Sequence, residues 1–294
     1  MTDAAARPGL SIVICTARRS PFLGETLQSV LNQSYQDWEV ILLESGVDSG
    51  VDDIAFPAEK LRRIRTRPET ICGARNRGIA EARAPLVAFL DDDDRWLPAK
   101  AARQVEIMSA DPRIGLTHTE CQFIDVDGAV VALGGVNATN YEGMLAGDWR
   151  LCSSSTVYRR DVALAVGGND PRYPYCGDMD LLFKVARRGP IYFIRDVLTQ
   201  FRIHKANTSK RTRITAFKEA RGILKDHRRH ALAVGNQRWA SLANDGIDDV
   251  TRYFIDRARR SIFEGISRRD YRESARQLRD FATMSFVRGL SAVE

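Results

Sequence analysis

The sequence predicts an α/β protein whose mainly parallel sheet is flanked by helices and followed by a C-terminal helical extension. Short apolar runs typical of buried strands alternate with helical periodicity in the first third of the chain. One such run, Leu86–Leu90, leads directly into the four consecutive acids Asp91–Asp94. Beyond Lys205 the pattern is helical to the end. We therefore expect an α/β domain over residues 1–204 and a helical extension over residues 205–294.

The first half of the chain consists of repeated strand–helix units. Leu10–Cys15 is the first buried strand, and Ser20 followed by Pro21 predicts an N-cap and the first residue of a helix. The second strand is expected to end in the loop Glu44-Ser45-Gly46. The remaining predicted elements are strands over Glu39–Leu43, Leu61–Arg65 and Leu86–Leu90, a helix over Gly73–Arg83 and a helix that begins at Pro98.

The second half has a different pattern. Strand-like runs over Ile114–Ile124 and Ala129–Leu133 flank Asp127-Gly128, which predicts a hairpin turn. A helix over Met179–Arg188 is expected to end at the following glycine and proline. Further strands are predicted near Thr156–Tyr158 and over Ile191–Ile194 and Val197–Ile203.

The composition is that of a soluble globular protein. Hydrophobic residues make up 44% and charged residues 28% of the 294 residues. The N-terminal segment has no signal-peptide core, and no apolar run is long enough to span a membrane. The five cysteines are odd in number and lack CxxC spacing, which disfavours a zinc site and predicts reduced thiols in the cytoplasm.

The positive charge is concentrated in the C-terminal extension. Residues 205–294 contain 20 Lys and Arg against 11 Asp and Glu, whereas residues 1–204 contain 24 against 27. Because the excess lies outside the part that contains the acid run, we do not expect a nucleic-acid partner. Arginines such as Arg252, Arg259 and Arg260 predict peripheral contact with the anionic inner face of a membrane, with a plain helical cap as the equal alternative.

Polar and charged residues that follow predicted strands suggest a ligand site. These are Thr16 after the first strand, Glu44 and Ser45 after the second, and the acids Asp91–Asp94 after the fourth. Carboxyl ends of parallel strands share one edge of a sheet, where open α/β sheets bind ligands. Adjacent carboxylates repel each other unless a cation neutralises them, so we expect Mn²⁺ or Mg²⁺ there. A solvated acidic loop is the alternative.

Several segments resemble family 2 of the inverting glycosyltransferases, which have the GT-A nucleotide-sugar-binding fold. SIVICT followed by LQSVLNQSYQDWEVILLES resembles the family's first strand, helix and second strand. GARNRGIAEARAPLVAFLDDDDRW is close to its ARN-x-G…FLD-x-DD-x-W motif, the most specific part of the match. VGGND…GDMDLLFKVARRG resembles the segment with the catalytic acid, and FRIH the motif that closes the catalytic domain.

The resemblance implies a role for each matching residue. Thr16, Glu44 and Ser45 would border the donor nucleoside, and Arg75 would contact the base or the diphosphate. The acids Asp91, Asp92 and Asp93 would bind the donor, with Asp93 the foremost metal ligand and Asp91 and His204 the others. Asp178 would be the catalytic base. Residues 1–204 would then be the catalytic domain that moves a sugar, favoured to come from a UDP-sugar, to a glycan or lipid-linked acceptor.

The sequence departs from the family pattern in three places. Cys15-Thr16-Ala17-Arg18 stands where Pro-Thr-Tyr-Asn is common, Glu44-Ser45 where two acids are usual, and Gly177-Asp178 where an acid pair precedes the catalytic helix. A uracil-reading carboxylate is therefore absent or displaced to Glu44. A non-catalytic sugar-nucleotide-binding protein is the alternative from another class. A nucleotidyltransferase is disfavoured, because the loop after the first strand has no glycine.

Overall fold

The computed structural model describes residues 7–207 and 213–267. By contacts, the chain divides into two compact units. The first consists of residues 1–141 and 149–204, and the second of residues 142–148 and 205–294. All the predicted site residues belong to the first unit.

The first unit begins with a parallel sheet built from strand–helix units. Its elements are β1 (Leu10–Thr16), α1 (Leu23–Leu31), β2 (Trp38–Ser45), β3 (Leu61–Thr66), α2 (Ile71–Glu81) and β4 (Leu86–Asp91). These strands lie in the order β3-β2-β1-β4, and every neighbouring pair is parallel. Side chains of β1, β2 and β4 are almost all buried, as expected for a sheet covered on both faces.

The rest of the first unit extends this sheet. The elements are β5 (Arg95–Trp96), α3 (Lys100–Ala110), β6 (Leu116–Ile124), β7 (Val130–Leu133), β8 (Val157–Arg159), α5 (Arg160–Ala165), α6 (Gly177–Arg188) and β9 (Ile191–Arg202). The short helix α4 (Tyr141–Ala146) consists, apart from Tyr141, of residues of the second unit. Over the described residues the strand order is β3-β2-β1-β4-β8-β6-β9-β5, with β7 paired to β6. β6 and β9 are parallel, whereas β8 is antiparallel to both β4 and β6. The predicted α/β class is confirmed, and the sheet is mixed.

Several predicted boundaries were wrong. The helix predicted from Pro21 begins at Leu23, because the hydroxyl of Ser20 donates to the carbonyl of Asp92 at 2.9 Å and the chain makes a turn first. β2 does not end before Glu44, since Glu44 and Ser45 still pair with β3.

Three further differences lie in the second half of the chain and after β4. The two strands predicted over residues 191–203 are one strand, β9, whose pairing with β6 is irregular near Glu120. The helix predicted from Pro98 begins at Lys100. The short elements β5, α4 and α5 were not predicted, because they are held by contacts distant in sequence.

The second unit contains two long helices, α7 (Arg213–Ala233) and α8 (Gln237–Ser267). Their apolar faces meet, with the rings of Phe217 and Phe254 5.6 Å apart. Val250 and Ala258 are also buried on α8. Within the described part of the chain, no helix is both long and apolar enough to cross a membrane.

Candidate active site

A tight turn after β4 contains the four acids Asp91–Asp94, which we call the acid turn. Two of its backbone carbonyls accept hydrogen bonds from α1 and from the loop that precedes α1. Thr26 Oγ1 donates to the carbonyl of Asp94 at 2.8 Å, and Ser20 Oγ donates to the carbonyl of Asp92. These bonds fix the backbone of the turn, so that its carboxylates keep their directions.

Two residues from distant parts of the chain complete this support. Arg202, fully buried at the end of β9, donates from its backbone nitrogen to Asp94 Oδ1 at 2.9 Å and from Nε to the carbonyl of Asp93 at 3.0 Å. Ser154 donates to Asp94 Oδ2 at 2.5 Å and accepts from the backbone nitrogen of Asp91 at 3.1 Å. Asp94 therefore has a structural role inside the turn.

The nearby positive charges do not offset the burial of Asp92 and Asp93 in the acid turn. Burial raises the pKa of Asp92 to about 7 although Thr16 lies beside it, and burial together with the charge of Asp91 raises the pKa of Asp93. A raised carboxyl pKa means that the ionised form is unfavourable. A cation bound here would relieve that cost.

Asp93 and His204 lie side by side at the front of the turn. His204 Nε2 is 2.8 Å from Asp93 Oδ2, and Arg18 Nη2 approaches the same oxygen at 3.2 Å. The Arg18 side chain is 42% exposed, so this ion pair is open to solvent. Sequence reasoning placed Asp93 and His204 together and named Arg18 only as a departure from the family pattern.

Arg75 lies between the acid turn and Asp178. Its Nη2 donates to Asp91 Oδ1 at 2.8 Å, and its Nη1 is 3.9 Å from Asp178 Oδ2. The guanidinium is almost fully buried. Burial raises the pKa of Asp178, and Arg75 opposes that rise. Asp178 keeps 31% of its side chain exposed, which leaves it accessible to a substrate.

Asp178 is the second residue of α6, and Cys176 is the N-cap. Its Oδ1 accepts from the backbone nitrogen of the next residue, Met179, at 2.8 Å. Gly177, where the family pattern has an acid, is packed against Cys72, and a β-carbon there would lie 2.2 Å from the Cys72 sulfur. The missing acid is therefore explained by packing.

The loop before α6 is tied to α2 by a pair of asparagines. Asn76 Nδ2 donates to the carbonyl of Asn169 at 2.8 Å, and Asn76 Oδ1 accepts from the backbone nitrogen of Asn169 at 2.7 Å. Asp180 accepts from the backbone nitrogen of Asp170 at 3.0 Å. Arg75 and Asp178 thus belong to segments with a fixed separation.

The end of β2 contains a closed ion cluster. Glu44 is fully buried, and its two oxygens accept from Arg63 at 3.1 and 3.2 Å, from Arg65 Nε at 3.2 Å and from Ser49 Oγ at 2.6 Å. A donor contact by Glu44, which stays a prediction, would have to break these bonds. Ser45 faces the loop before α2, where its Oγ accepts from the backbone nitrogen of Glu69 at 2.8 Å.

Thr16 ends β1 beside the acid turn. It is buried, and its hydroxyl donates to the carbonyl of Arg18 at 2.5 Å. The structure thus brings Thr16, Arg75, Asp178, His204 and the acid turn together, whereas the Glu44 carboxylate is enclosed by its own ion pairs. Sequence reasoning did not name Glu69 or Ser154, and it included Arg202 only as part of the FRIH motif, which was the one signal available.

The residues present fit a divalent cation with few protein ligands. In residues 7–207 and 213–267, no three His, Cys, Asp or Glu side chains form a complete metal-binding group. Asp93 and His204, however, offer a hard oxygen and an imidazole nitrogen beside carboxylates whose charge is not balanced. Such a pair would need the remaining ligands from a substrate.

The chain is similar in sequence to known glycosyltransferases. Residues 11–130 match the family model of Glycosyl transferase family 2. An uncharacterized glycosyltransferase of Nostoc sp., alr2836, is 27% identical over 212 residues, which cover 67% of this chain and 66% of that protein. The Escherichia coli protein WfaP, a UDP-Glc:alpha-D-GlcNAc-diphosphoundecaprenol beta-1,3-glucosyltransferase, is 31% identical over 108 residues, covering 35% and 42% of the two chains.

A solved structure extends the likeness of fold to almost the whole chain. Staphylococcus aureus TarS 1-349, in complex with UDP-GlcNAc, has a TM-score of 0.60 and 13% identity and covers 95% of this chain and 92% of its own. The matches to the two sequence relatives are shorter. They span 66% of the length of the Nostoc protein and 42% of the length of WfaP.

Proposed function

We propose that the chain is a member of glycosyl transferase family 2 and that it transfers a sugar from a nucleotide-diphosphate sugar to an acceptor hydroxyl, with inversion, in cell-surface glycan synthesis. The names of its relatives support the substrate classes. WfaP uses UDP-Glc and a diphosphoundecaprenol acceptor, and TarS was solved with UDP-GlcNAc. UDP is accordingly the favoured nucleotide, and a glycan or lipid-linked hydroxyl the favoured acceptor.

The observation that carries this proposal is the position of Arg75 between Asp91 and Asp178, 2.8 and 3.9 Å from their carboxylates. The buried guanidinium of Arg75 thereby links the acid turn, where a donor diphosphate would bind, to Asp178. Among the described residues of α6, Asp178 is the acid that lies within 3.9 Å of this guanidinium. A bond between sugar and diphosphate could lie between the two.

Asp178 has the properties of a general base in this place. An acceptor hydroxyl becomes a good nucleophile when a carboxylate takes its proton during attack. Burial raises the pKa of Asp178 and makes it a stronger base, while Arg75 and the N-terminus of α6 favour the ionised form. Attack from the Asp178 side, opposite the departing diphosphate, inverts the anomeric carbon.

The departing diphosphate gains negative charge, and the acid turn alone would repel it. Asp93 and His204, with Asp91 behind them, would hold Mn²⁺ or Mg²⁺, which supplies Lewis-acid stabilisation of that charge when bound. Arg18, at the rim of the turn, adds a fixed positive charge on the same side. Thr16 and Asp92 would face the ribose of the donor.

The decisive experiment is Asp178→Asn. Asparagine keeps the size of the side chain but cannot take a proton at neutral pH, so we expect normal folding and UDP binding with transfer slowed roughly 10²–10⁴-fold. Asp161→Asn is a matched control, because Asp161 is also the second residue of its helix and accepts from the next backbone nitrogen at 2.8 Å. The control should keep full activity.

Other outcomes favour the alternatives. Unchanged transfer by Asp178→Asn would contradict the role of the base. A wild-type protein that binds UDP-sugar tightly yet transfers to no member of an acceptor panel would favour a non-catalytic binding protein. Release of pyrophosphate instead of a nucleoside diphosphate would identify a nucleotidyltransferase.

A peripheral membrane contact on the cytoplasmic side also stays a proposal. Arg252, Arg259 and Arg260 are exposed on α8, as the amphipathic pattern predicts. Their acidic neighbours Asp249 and Asp256 lie 3.8 and 3.7 Å from Arg252 and Arg259, so part of the positive charge is balanced locally.

A further inference from the structure

The edge of the sheet near β2 contains a carboxylate with an unused acceptor atom. Oε1 of Glu69 is buried and accepts no hydrogen bond from the residues that the structure describes. Its nearest cation is Arg77, whose Nε is 3.6 Å away. The side chain as a whole keeps 21% of its surface exposed. A buried acceptor without a donor is costly unless a ligand supplies one.

The backbone of Glu69 is held in place from β2. Ser45 Oγ accepts from the backbone nitrogen of Glu69 at 2.8 Å and donates to its carbonyl oxygen at 3.3 Å. Thr70, the next residue, caps α2 by accepting from Gly73 at 3.2 Å. The loop is therefore anchored on both sides of Glu69.

Glu69 lies on the side of the site where a donor nucleoside would extend. Strand order reverses between β1 and β4, and α/β sheets bind ligands at such a switch point. The acid turn at the end of β4 would take the phosphates, and Asp178 lies beyond it, so the nucleoside would cover the ends of β1 and β2. Glu69 is close to Cys15 at the end of β1, where it is one of the charges that add to the effect of burial in raising the pKa of that thiol to about 12.

Glu44 and Thr16, two other polar residues at this edge, already have partners. The oxygens of Glu44 accept from Arg63, Arg65 and Ser49, and the Thr16 hydroxyl donates to a backbone carbonyl. Among the described residues at this edge, Thr66 Oγ1 and Glu69 Oε1 have no hydrogen-bond partner, and Glu69 Oε1 is the carboxylate oxygen of the two.

We propose that Glu69 accepts the imide N–H of the uracil of the donor, and that Ser45 positions it. This inference rests on the proposed function. An ionised carboxylate only accepts hydrogen bonds. Uracil presents an N–H at N3, whereas cytosine presents a lone pair there, which a carboxylate repels. Glu69 would therefore select uridine over cytidine nucleotides, because its carboxylate binds the N–H of uracil and repels the lone pair of cytosine.

The test compares UDP with CDP by titration calorimetry in the presence of Mn²⁺. Wild type should prefer UDP, and Glu69→Gln should lose about 10- to 100-fold in UDP affinity, the usual effect of losing a hydrogen bond to a charged group. CDP affinity should change little or rise, so the UDP/CDP ratio should collapse. Glu59→Gln, at an exposed acid before β3, is the control and should keep the ratio.

Ser45→Ala separates positioning from folding. It keeps the Glu69 carboxylate but removes its anchor, so we expect a smaller loss of the UDP/CDP ratio with an unchanged melting temperature. An unchanged ratio in Glu69→Gln, an equal loss of both nucleotides, or a wild-type preference for GDP or CDP overturns this inference while sugar transfer stands. A wild type that binds no nucleotide overturns both.

Discussion

Two groups of carboxylates lie at the same edge of the sheet and differ in how their charge is balanced. Glu44 is enclosed by Arg63, Arg65 and Ser49, whose hydrogen bonds outweigh the effect of burial and hold its pKa at about 2. In the acid turn, burial prevails and raises the pKa of Asp92 to about 7 and that of Asp93 above its ordinary value. Positive charge thus outweighs burial in the first group. In the second, Arg75 and Arg18 pair with Asp91 and Asp93 but do not offset the burial of Asp92 and Asp93.

This difference distinguishes Glu44, a carboxylate with a structural role, from the carboxylates of the acid turn, which can bind a ligand. Both groups are buried and follow parallel strands, so burial and position do not distinguish them. The number of protein donors does, because a carboxylate that already accepts several charged hydrogen bonds has little to gain from a ligand. Three substitutions test the comparison.

The largest effect is expected for Asp93→Asn. If the missing charge is supplied by a divalent cation, this variant should bind UDP equally with and without Mn²⁺, and its transfer rate should fall at least about 10²-fold, as for loss of a main electrostatic contact. Its melting temperature should not fall, since a poorly compensated buried charge has been removed. Metal-dependent UDP binding that persists in the variant would contradict the assignment. Asp127→Asn, in the hairpin turn, is the control.

Glu44→Gln should have the opposite result, with little effect on UDP binding and a lower free energy of unfolding. We expect a loss of about 2 kcal/mol at pH 7, because hydrogen bonds to a charged group are lost while the two arginines keep contact with water. If UDP affinity falls with no loss of stability, Glu44 belongs to the donor site instead.

The difference in stability between wild type and Glu44→Gln should depend on pH. The folded-state pKa of Glu44 lies near 2, below the ordinary value of 4.5, so its stabilisation is complete above pH 4.5 and is lost as the pH falls toward 2. The difference in unfolding free energy between wild type and Glu44→Gln, measured by urea denaturation, should therefore shrink between pH 5 and pH 3.

The smallest effect is expected for Arg18→Gln. Arg18 shares Asp93 Oδ2 with His204 and so competes with a metal for that oxygen. Its removal should tighten Mn²⁺ binding, measured by electron paramagnetic resonance without nucleotide, about two- to fivefold, the range of a solvent-exposed ion pair. Arg19→Gln, whose ion pair with Asp53 lies at the surface, should leave Mn²⁺ binding unchanged. Weaker binding in Arg18→Gln would mean that Arg18 supports the metal.

The local pattern of residues was enough to predict the α/β class and most strands and helices. Runs such as Leu10–Cys15 and Leu86–Leu90 have one favourable environment, a buried parallel strand, and the structure has them as β1 and β4. The acid run after β4 likewise predicted where charge would collect. Short elements such as β5 and α5 were missed, because two to six residues contain too little periodicity to indicate a structure.

The sequence by itself determined which apolar runs form buried strands and which polar residues lie near their ends, because hydrophobic periodicity is a local property of the chain. Only the tertiary structure decided which of those ends are available to a ligand. Glu44 is closed off by arginines from β3, Arg75 lies between two acids from β4 and α6, and Glu69 reaches the edge through Ser45. Each of these outcomes depends on which charged groups the fold brings close to one another. Electrostatic energies depend on distance and burial, and neither can be read from the order of residues in the sequence.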